Sequence, residues 1–459
     1  MDEPFPGSTS RPRVVVVGGG FGGLRVAKQL RKAAVDVVLV DRRNHHLFQP
    51  LLYQVASAAL SPADIARPIR SILRDQANVT VLLDEVCGVD LDQQCVKLKQ
   101  SADISFDWLV LAAGAGHAYF GNDHWAEHAP GLKTIEDAIE IRRRVLLAYE
   151  AAEHEEDEVD RRRRLTFVVV GGGPTGVEMA GALREIASES IPADFRRVDT
   201  RTARVIVVEG NARLVKGMSP EASALAKKAL ERMGVEVRLN TYVTDVDEDG
   251  VQLGDERLEA GNVIWAAGVK ASDLGTSLAV PLDRAGRVKV EPDCTIPGHA
   301  NVFVIGDMAA QESDGQPVPG VAQGALQMGG FVAQIIATEV KDGSGVRPAF
   351  HYRDKGSLAT IGRARAVADV FGTTLGGFVA WLLWSGVHVS FLLGFRNKVF
   401  VMLSWAWTYL RNSRGARLIT GSRKGSRKGS RKGSRKGSRK GSRKGSRKGS
   451  PTPREAPPG

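Results

Sequence analysis

The chain has 459 residues, 43% of them hydrophobic and 25% charged, which is enough length and apolar content for two or three domains. Its net charge of +11 would point to nucleic acid, but residues 421–448 are seven copies of Gly-Ser-Arg-Lys that carry 14 positive charges. Taking those 14 from 63 Lys and Arg leaves 49 against 52 Asp and Glu, so the body is near neutral and no specific nucleic-acid partner is expected.

Three dispersed cysteines, Cys87, Cys95 and Cys294, exclude a disulfide framework and any Cys-x-x-Cys site; no metal site is expected, and the thiols read as inert. The start has no apolar stretch of signal-peptide length, which reads as a cytoplasmic, reducing setting, with 1–12 a disordered leader.

Val14–Val17 is a continuous β-branched run, the pattern of a strand buried on both faces of a parallel sheet. Gly18, Gly20 and Gly23 follow in G-x-G-x-x-G spacing, with Phe21 and Gly22 between them, and open a helical stretch to Lys32. A second buried run, Val35–Val40, ends at Asp41, 23 residues after Gly18. Glycines there allow a tight turn and close approach of backbone to a pyrophosphate, the helix N-terminus offers N–H groups, and the acid would accept from a ribose diol. Further strands are read at 79–83 and 108–111, the latter leading into Ala112-Ala113-Gly114. The charged run at 153–164 reads as a solvated helix end and linker without partners.

The same grammar then recurs. A buried run precedes Gly171, Gly173 and Gly176, and Glu209 ends the next strand, 38 residues after Gly171; an extension over 188–201 accounts for the excess. An acid at 209 favours a ribose 2′-hydroxyl, hence NADH over NADPH, with Arg213 a mild counter-signal. Strands at 235–239 and 263–265 follow, the second leading into Gly268, and Val302–Ile305 leads into Gly306-Asp307. Two such units imply electron transfer between two dinucleotides: a tightly but non-covalently held FAD at the first unit, completed by Asp307, and NADH as donor at the second. A helix N-cap is the other reading of Asp307. The stretch 44–56 lacks the Cys pair a disulfide reductase needs, so electrons leave to a diffusible molecule or a protein. Residues 370–395 hold no charge, and a second apolar run covers 399–410, with basic residues flanking both. The length suffices to cross a bilayer, but internal glycines and the mid-segment Trp381 and Trp384 favour helices lying in the interface, with a membrane quinone as acceptor.

The segments VVVVGGGFGG, NHHLFQPLLYQVA, VVVGGGPTGVEMAG, VFVIGDMA, GVAQGALQMG and FHYRDKGSLATIGRARAV, spread over about 13–420, resemble the type II NADH dehydrogenases, non-pumping NADH:quinone oxidoreductases, with an actinobacterial cast. The resemblance implies two Rossmann-like domains of the glutathione-reductase kind. FAD-binding segments are expected at 13–118 and 290–350, an inserted NADH domain at 119–289, a membrane-associating region at 351–420 and a disordered tail at 421–459. AQGALQ at 322–327 matches the family's AQxAxQ motif, which implies Gln323 and Gln327 near a quinone (menaquinone or ubiquinone); two Gln four apart share a helix face. Glu178, read as lying in the first turn of its helix, is implied near nicotinamide and flavin, as a proton relay or as a coupler of the two substrates, and Lys355 near the quinone; surface glutamines and an exposed-turn lysine are the plainer readings. Attachment to the cytoplasmic face of the cell membrane and a possible homodimer are implied as well. A soluble ferredoxin-type reductase and an NAD(H) sensor without turnover are the rivals.

Overall fold

A computed structural model describes residues 11–343, 345–411 and 414–420. Most of the expected leader and all of the Gly-Ser-Arg-Lys tail lie outside the described residues. The chain runs β1 (Arg13–Val17), α1 (Phe21–Gln29), β2 (Asp36–Asp41), β3 (Val79–Leu83), β4 (Trp108–Leu111) and α2 (Ile135–His154). Next come β5 (Thr166–Val170), α3 (Pro174–Glu185), β6 (Arg204–Val208), α4 (Pro220–Met233), β7 (Val235–Arg238) and β8 (Asn262–Trp265). It returns through β9 (Thr295–Ile296), β10 (His299–Val304) and α5 (Ala322–Asp342), then closes with β11 (Ser357–Gly362), β12 (Arg365–Val370), β13 (Thr373–Gly376), α6 (Gly377–Phe391) and α7 (Phe395–Arg411).

The first sheet has the order β9-β10-β4-β1-β2-β3 and is parallel apart from β9. Val16 faces Leu39 on one side and Val110 on the other, and Val14–Val16 are fully buried, as a strand covered on both faces requires. The second sheet, β7-β6-β5-β8, is parallel throughout, with Val168 between Ile206 and Val263. The strands after each glycine turn therefore lie next to the strand before it, the arrangement of a right-handed βαβ unit.

Two close approaches fix what surrounds these sheets. A Cβ at Gly329 would lie 2.5 Å from the Gly22 carbonyl oxygen, so α5 crosses α1 at glycines. A Cβ at Gly181 would lie 1.7 Å from the Ile361 oxygen, so the β11-β12-β13 sheet packs against α3 backbone to side chain-free backbone. Asp369 on β12 reinforces this by accepting from Ser219 Oγ (2.9 Å), the N-cap of α4.

The charged run at 153–164 is not without partners, contrary to its reading as a solvated linker. Glu153 accepts from the backbone N–H groups of Arg196, Arg197 and Val198, and Arg164 pairs with Glu155 at 3.0 Å. Charged side chains thus stitch α2 to the extension that precedes β6.

The uncharged stretch 370–395 is not one helix. Its first residues finish β12 and form β13, and α6 spans 15 residues, about 22 Å at 1.5 Å per residue against ~30 Å of hydrocarbon. No helix among the described residues is long and apolar enough to cross a membrane. Trp384 is a core residue, 1% exposed, stacked on His388 and packed with Trp405, so its mid-segment position reflects burial in the protein. The outward side of the pair is apolar: Phe378, Val379 and Leu382 on α6, and Phe395, Leu403 and Trp407 on α7 are exposed.

Candidate active site

The two glycine turns are built alike. Gly18 and Gly171 have φ of +102° and +109°, and a Cβ on either would strike the backbone just past β4 or β8, at Ala112 and Ala266. A Cβ at Gly23 or Gly176 would sit 1.9 Å from the oxygen of Gly18 or Gly171, which is why helix and strand approach so closely. At Gly20 and Gly173, by contrast, nothing lies within 4 Å of such a Cβ. Those two positions face open cradles, and neither α1 nor α3 has a side-chain cap on its first turn. A phosphate group would satisfy the donors that a cap otherwise takes.

Each acid closes its own turn. Asp41 accepts from Gly19 N (2.6 Å) and Arg43 N (2.7 Å); Glu209 accepts from Gly172 N (2.6 Å) and Asn211 N (2.7 Å). Arg213 does not offset Glu209, because its guanidinium donates to the carbonyls of Met218 (3.1 Å) and Lys216 (3.0 Å). A 2′-phosphate at Glu209 would meet a carboxylate with that arginine already engaged.

A cleft of about 2460 Å³ gathers most of the remaining residues. Gly18, Gly20, Phe21, Gly22, Asp41 and Gly114 line it from the first unit, and Asp307, Gln323, Gln327 and Lys355 from later in the chain. Glu178 enters from α3 together with Pro174 and Thr175. Gly171, Gly173, Gly176, Glu209 and Gly268 do not line it, nor does Gly23, which is packed beneath the first turn. The donor set fits a dinucleotide laid along the first turn: an open cradle at Gly20, an acid at the strand end, and a second wall supplied by Gly306-Asp307. Asp307 sits inside a short 3-10 turn whose N-cap is Ile305, so it is not a helix cap and its side chain faces the cleft.

Glu178 is the fifth residue of α3, because that helix starts at Pro174; it lies in the second turn rather than the first. Burial pushes its carboxyl well above the ordinary range, opposed by a backbone hydrogen bond from Thr360. It is deep in the protein and open on the cleft side.

Gln323 and Gln327 share one face of α5 and hold the segment 353–356. Gln323 Nε2 donates to Gly356 O (3.1 Å) and its Oε1 accepts from Lys355 N (3.3 Å); Gln327 exchanges two 2.9 Å bonds with the backbone of Arg353. Both amides thus fix the turn that presents Lys355, whose side chain is exposed at the cleft. Among the cysteines, burial pushes the Cys294 and Cys95 thiols up, away from reactivity, while Cys87 is exposed.

Sequence patterns alone did not single out three further groups. His388 on α6 lines the cleft, its ring bonded to Trp384 O (2.7 Å), and burial pushes it down to about 4. Tyr53 lines it too, bonded to Gln54. Glu185, two helical turns beyond Glu178, is buried against Arg414 (2.7 Å) and the Arg363 N–H. An isolated His in an uncharged run was the available signal for the first, and Tyr53 lies in the segment NHHLFQPLLYQVA that carries the resemblance; no motif marks Glu185.

Known proteins resemble this chain over most of its length. A pyridine nucleotide-disulphide oxidoreductase family model matches residues 12–329, and an NDH2 C-terminal domain model matches 355–412. The type II NADH:quinone oxidoreductase Ndh of Mycobacterium tuberculosis is 47% identical, covering 92% of this chain and 93% of that protein. NdhA of the same organism is 46% identical over 89% and 90%. Among solved structures, NDH2 from Plasmodium falciparum in complex with NADH superposes with a TM-score of 0.80 at 21% identity, covering 87% of this chain and 99% of that one. A sulfide:quinone oxidoreductase from Aquifex aeolicus gives 0.69 at 19% identity, covering 84% and 92%; these two likenesses speak to fold. With two glycine turns and relatives matched nearly end to end, the chain belongs to the type II NADH:quinone oxidoreductase family.

Proposed function

We propose that this chain oxidises NADH and reduces a membrane quinone (menaquinone or ubiquinone) through one FAD, without moving protons across the membrane. The observation that carries the reading is the shared cleft, where the first glycine turn, Glu178 and the Gln323–Gln327–Lys355 cluster meet. FAD, held by Gly18, Gly20, Phe21, Gly22, Gly23, Asp41, Gly114 and Asp307, supplies two-electron redox chemistry when bound. NADH is assigned to Gly171, Gly173, Gly176, Glu209 and Gly268, with Glu178 facing the junction. The two segments of the first sheet, 13–118 and 290–350, form the FAD domain, 119–289 the NADH domain and 351–420 the membrane-associating region.

The chain's own groups have distinct tasks in this reading. Glu178, disfavoured as an anion by burial, holds a proton at its carboxyl where reduction of a quinone consumes protons. Gln323 and Gln327 hold the turn that aims Lys355 at the cleft. The exposed apolar residues of α6 and α7, with Arg396 and Lys398 beside them, seat the protein on the cytoplasmic face of the membrane. The basic tail adds attraction to anionic lipid, about 1 kcal/mol per Lys or Arg near the surface before screening. A possible homodimer is part of this proposal, and sedimentation in detergent tests it.

The deciding experiment is anaerobic. The purified protein in detergent should lose its flavin band on adding NADH and regain it on adding a short-chain quinone, with NADPH far slower. Bleaching without recovery would favour a protein acceptor, and a band that NADH never bleaches would favour a sensor.

A further inference from the structure

The stretch 44–56 carries a hydrogen-bond chain that reaches from the C-terminal helix to the cleft. Trp405 Nε1 on α7 donates to Gln54 Oε1 at 2.7 Å, and Gln54 Nε2 lies 2.7 Å from the Tyr53 hydroxyl. An indole N–H has only a donor role, so it fixes which end of the Gln54 amide faces it. The amide nitrogen must then face Tyr53, and it too is a donor. The Tyr53 oxygen is therefore the acceptor of that bond, and its own proton points away from Gln54. Tyr53 is 8% exposed and lines the cleft, on the wall that carries Glu178. Burial raises its hydroxyl well above the ordinary range, so the proton stays on throughout the neutral region.

We propose that Tyr53 donates a hydrogen bond to an oxygen of the quinone, and that Gln54 and Trp405 are positioning residues that set its direction. The electron acceptor's carbonyl gains negative charge as it is reduced, so a fixed donor aimed at it stabilises the reduced side more than the oxidised side. Because the first link of the chain is α7, displacement of that helix would release the Gln54 amide and with it the aim of Tyr53. The proposal rests on the quinone reading above.

The test uses FAD-loaded full-length protein in detergent and follows the two half-reactions separately by anaerobic stopped flow. Tyr53→Phe removes the donor and keeps the ring. Gln54→Glu offers acceptors to both neighbours, so the Tyr53 proton turns away from the cleft. Trp405→Phe removes the N–H that fixes the amide. Expected are flavin reoxidation by a short-chain quinone about tenfold slower in Tyr53→Phe and Gln54→Glu, and about threefold slower in Trp405→Phe. Flavin bleaching by NADH should stay within about twofold of wild type in all three. Wild-type reoxidation in Tyr53→Phe overturns the proposal. Equal slowing of both half-reactions, with a lowered melting temperature, also overturns it in favour of a packing role. A slow Tyr53→Phe beside a wild-type Gln54→Glu overturns the positioning part. If the unmodified protein is not reoxidised by quinone at all, the functional reading fails first and this proposal falls with it.

Discussion

Glu178 is costly to ionise where it stands, and that has a pH consequence. Its folded-state pKa is raised above the unfolded value, so between the two the native state holds a proton that the unfolded chain has lost. The stability it contributes is full below the unfolded value near 4.5 and is lost as pH rises towards the folded value, by up to about 1.4 kcal/mol per pH unit. Glu178→Gln removes that penalty. The variant's melting temperature should exceed wild type at pH 8 by more than at pH 5, while NADH:quinone turnover falls; a gap that does not widen with pH would mean that Glu178 ionises freely. Gly23 gives a second residue-scale prediction. A Cβ there meets the Gly18 oxygen at 1.9 Å, so Gly23→Ala should yield protein lacking its visible flavin band or no soluble protein, whereas Gly20→Ser, in open space, should fold and bind flavin weakly. The glycine spacings and their acids were legible in the sequence because backbone geometry leaves few alternatives to Gly at φ near +100°. The depth of Glu178 was not, since it depends on where Thr360 arrives from 182 positions later.

At the scale of elements, α3 does two jobs. Its N-terminus borders the second cradle at Gly173, while Pro174, Thr175 and Glu178 line the cleft. Gly176→Ala should therefore separate the functions: the flavin spectrum is kept, while the KM for NADH rises at least tenfold because helix and strand can no longer close on the turn. Helices α6 and α7 were legible as apolar and aromatic, but their length was not, because the uncharged run conceals the β12-β13 turn. Strand alternation is weak there, and Gly376 and Gly377 were read as interruptions of an apolar run when they end the hairpin strand and start α6; Gly372, at φ +75°, lies in the hairpin turn. The exposed face predicts that Leu403→Glu together with Phe395→Glu lowers sedimentation with lipid vesicles several-fold without changing NADH bleaching in detergent. Unchanged sedimentation would place attachment elsewhere.

For the molecule as a whole, the C-terminal segment is a strap. After α7, Arg414 is 5% exposed, donates to Ser57 O (2.9 Å) and pairs with Glu185 (2.7 Å) on α3. Arg417 then reaches the carbonyl of Ser190 (3.1 Å) and the carboxylate of Asp194. Removing one partner of a buried pair leaves an uncompensated charge, at about 3–5 kcal/mol. Arg414→Ala should lower stability by that order in a denaturant titration. Arg414→Ala combined with Glu185→Gln should recover much of it, and failure of that rescue would mean that the contacts with Ser57 dominate. Basic residues here were read from the sequence as flanks of an apolar run; only the fold reveals that one of them is internal.

The order of strands in the first sheet bears on how the protein is made. β4 is synthesised by residue 111, yet its outer neighbour β10 is not complete until residue 304, after the whole second sheet has emerged. On the ribosome, the β4 edge thus waits unpaired through nearly two hundred residues of translation, a template for stray strand pairing. The Asp307 wall of the cleft arrives only then, and α5, which closes on α1, later still. Flavin loading therefore has to follow the synthesis of residue 307, and a ribosome stalled before residue 304 holds an incubating half-site rather than a flavoprotein.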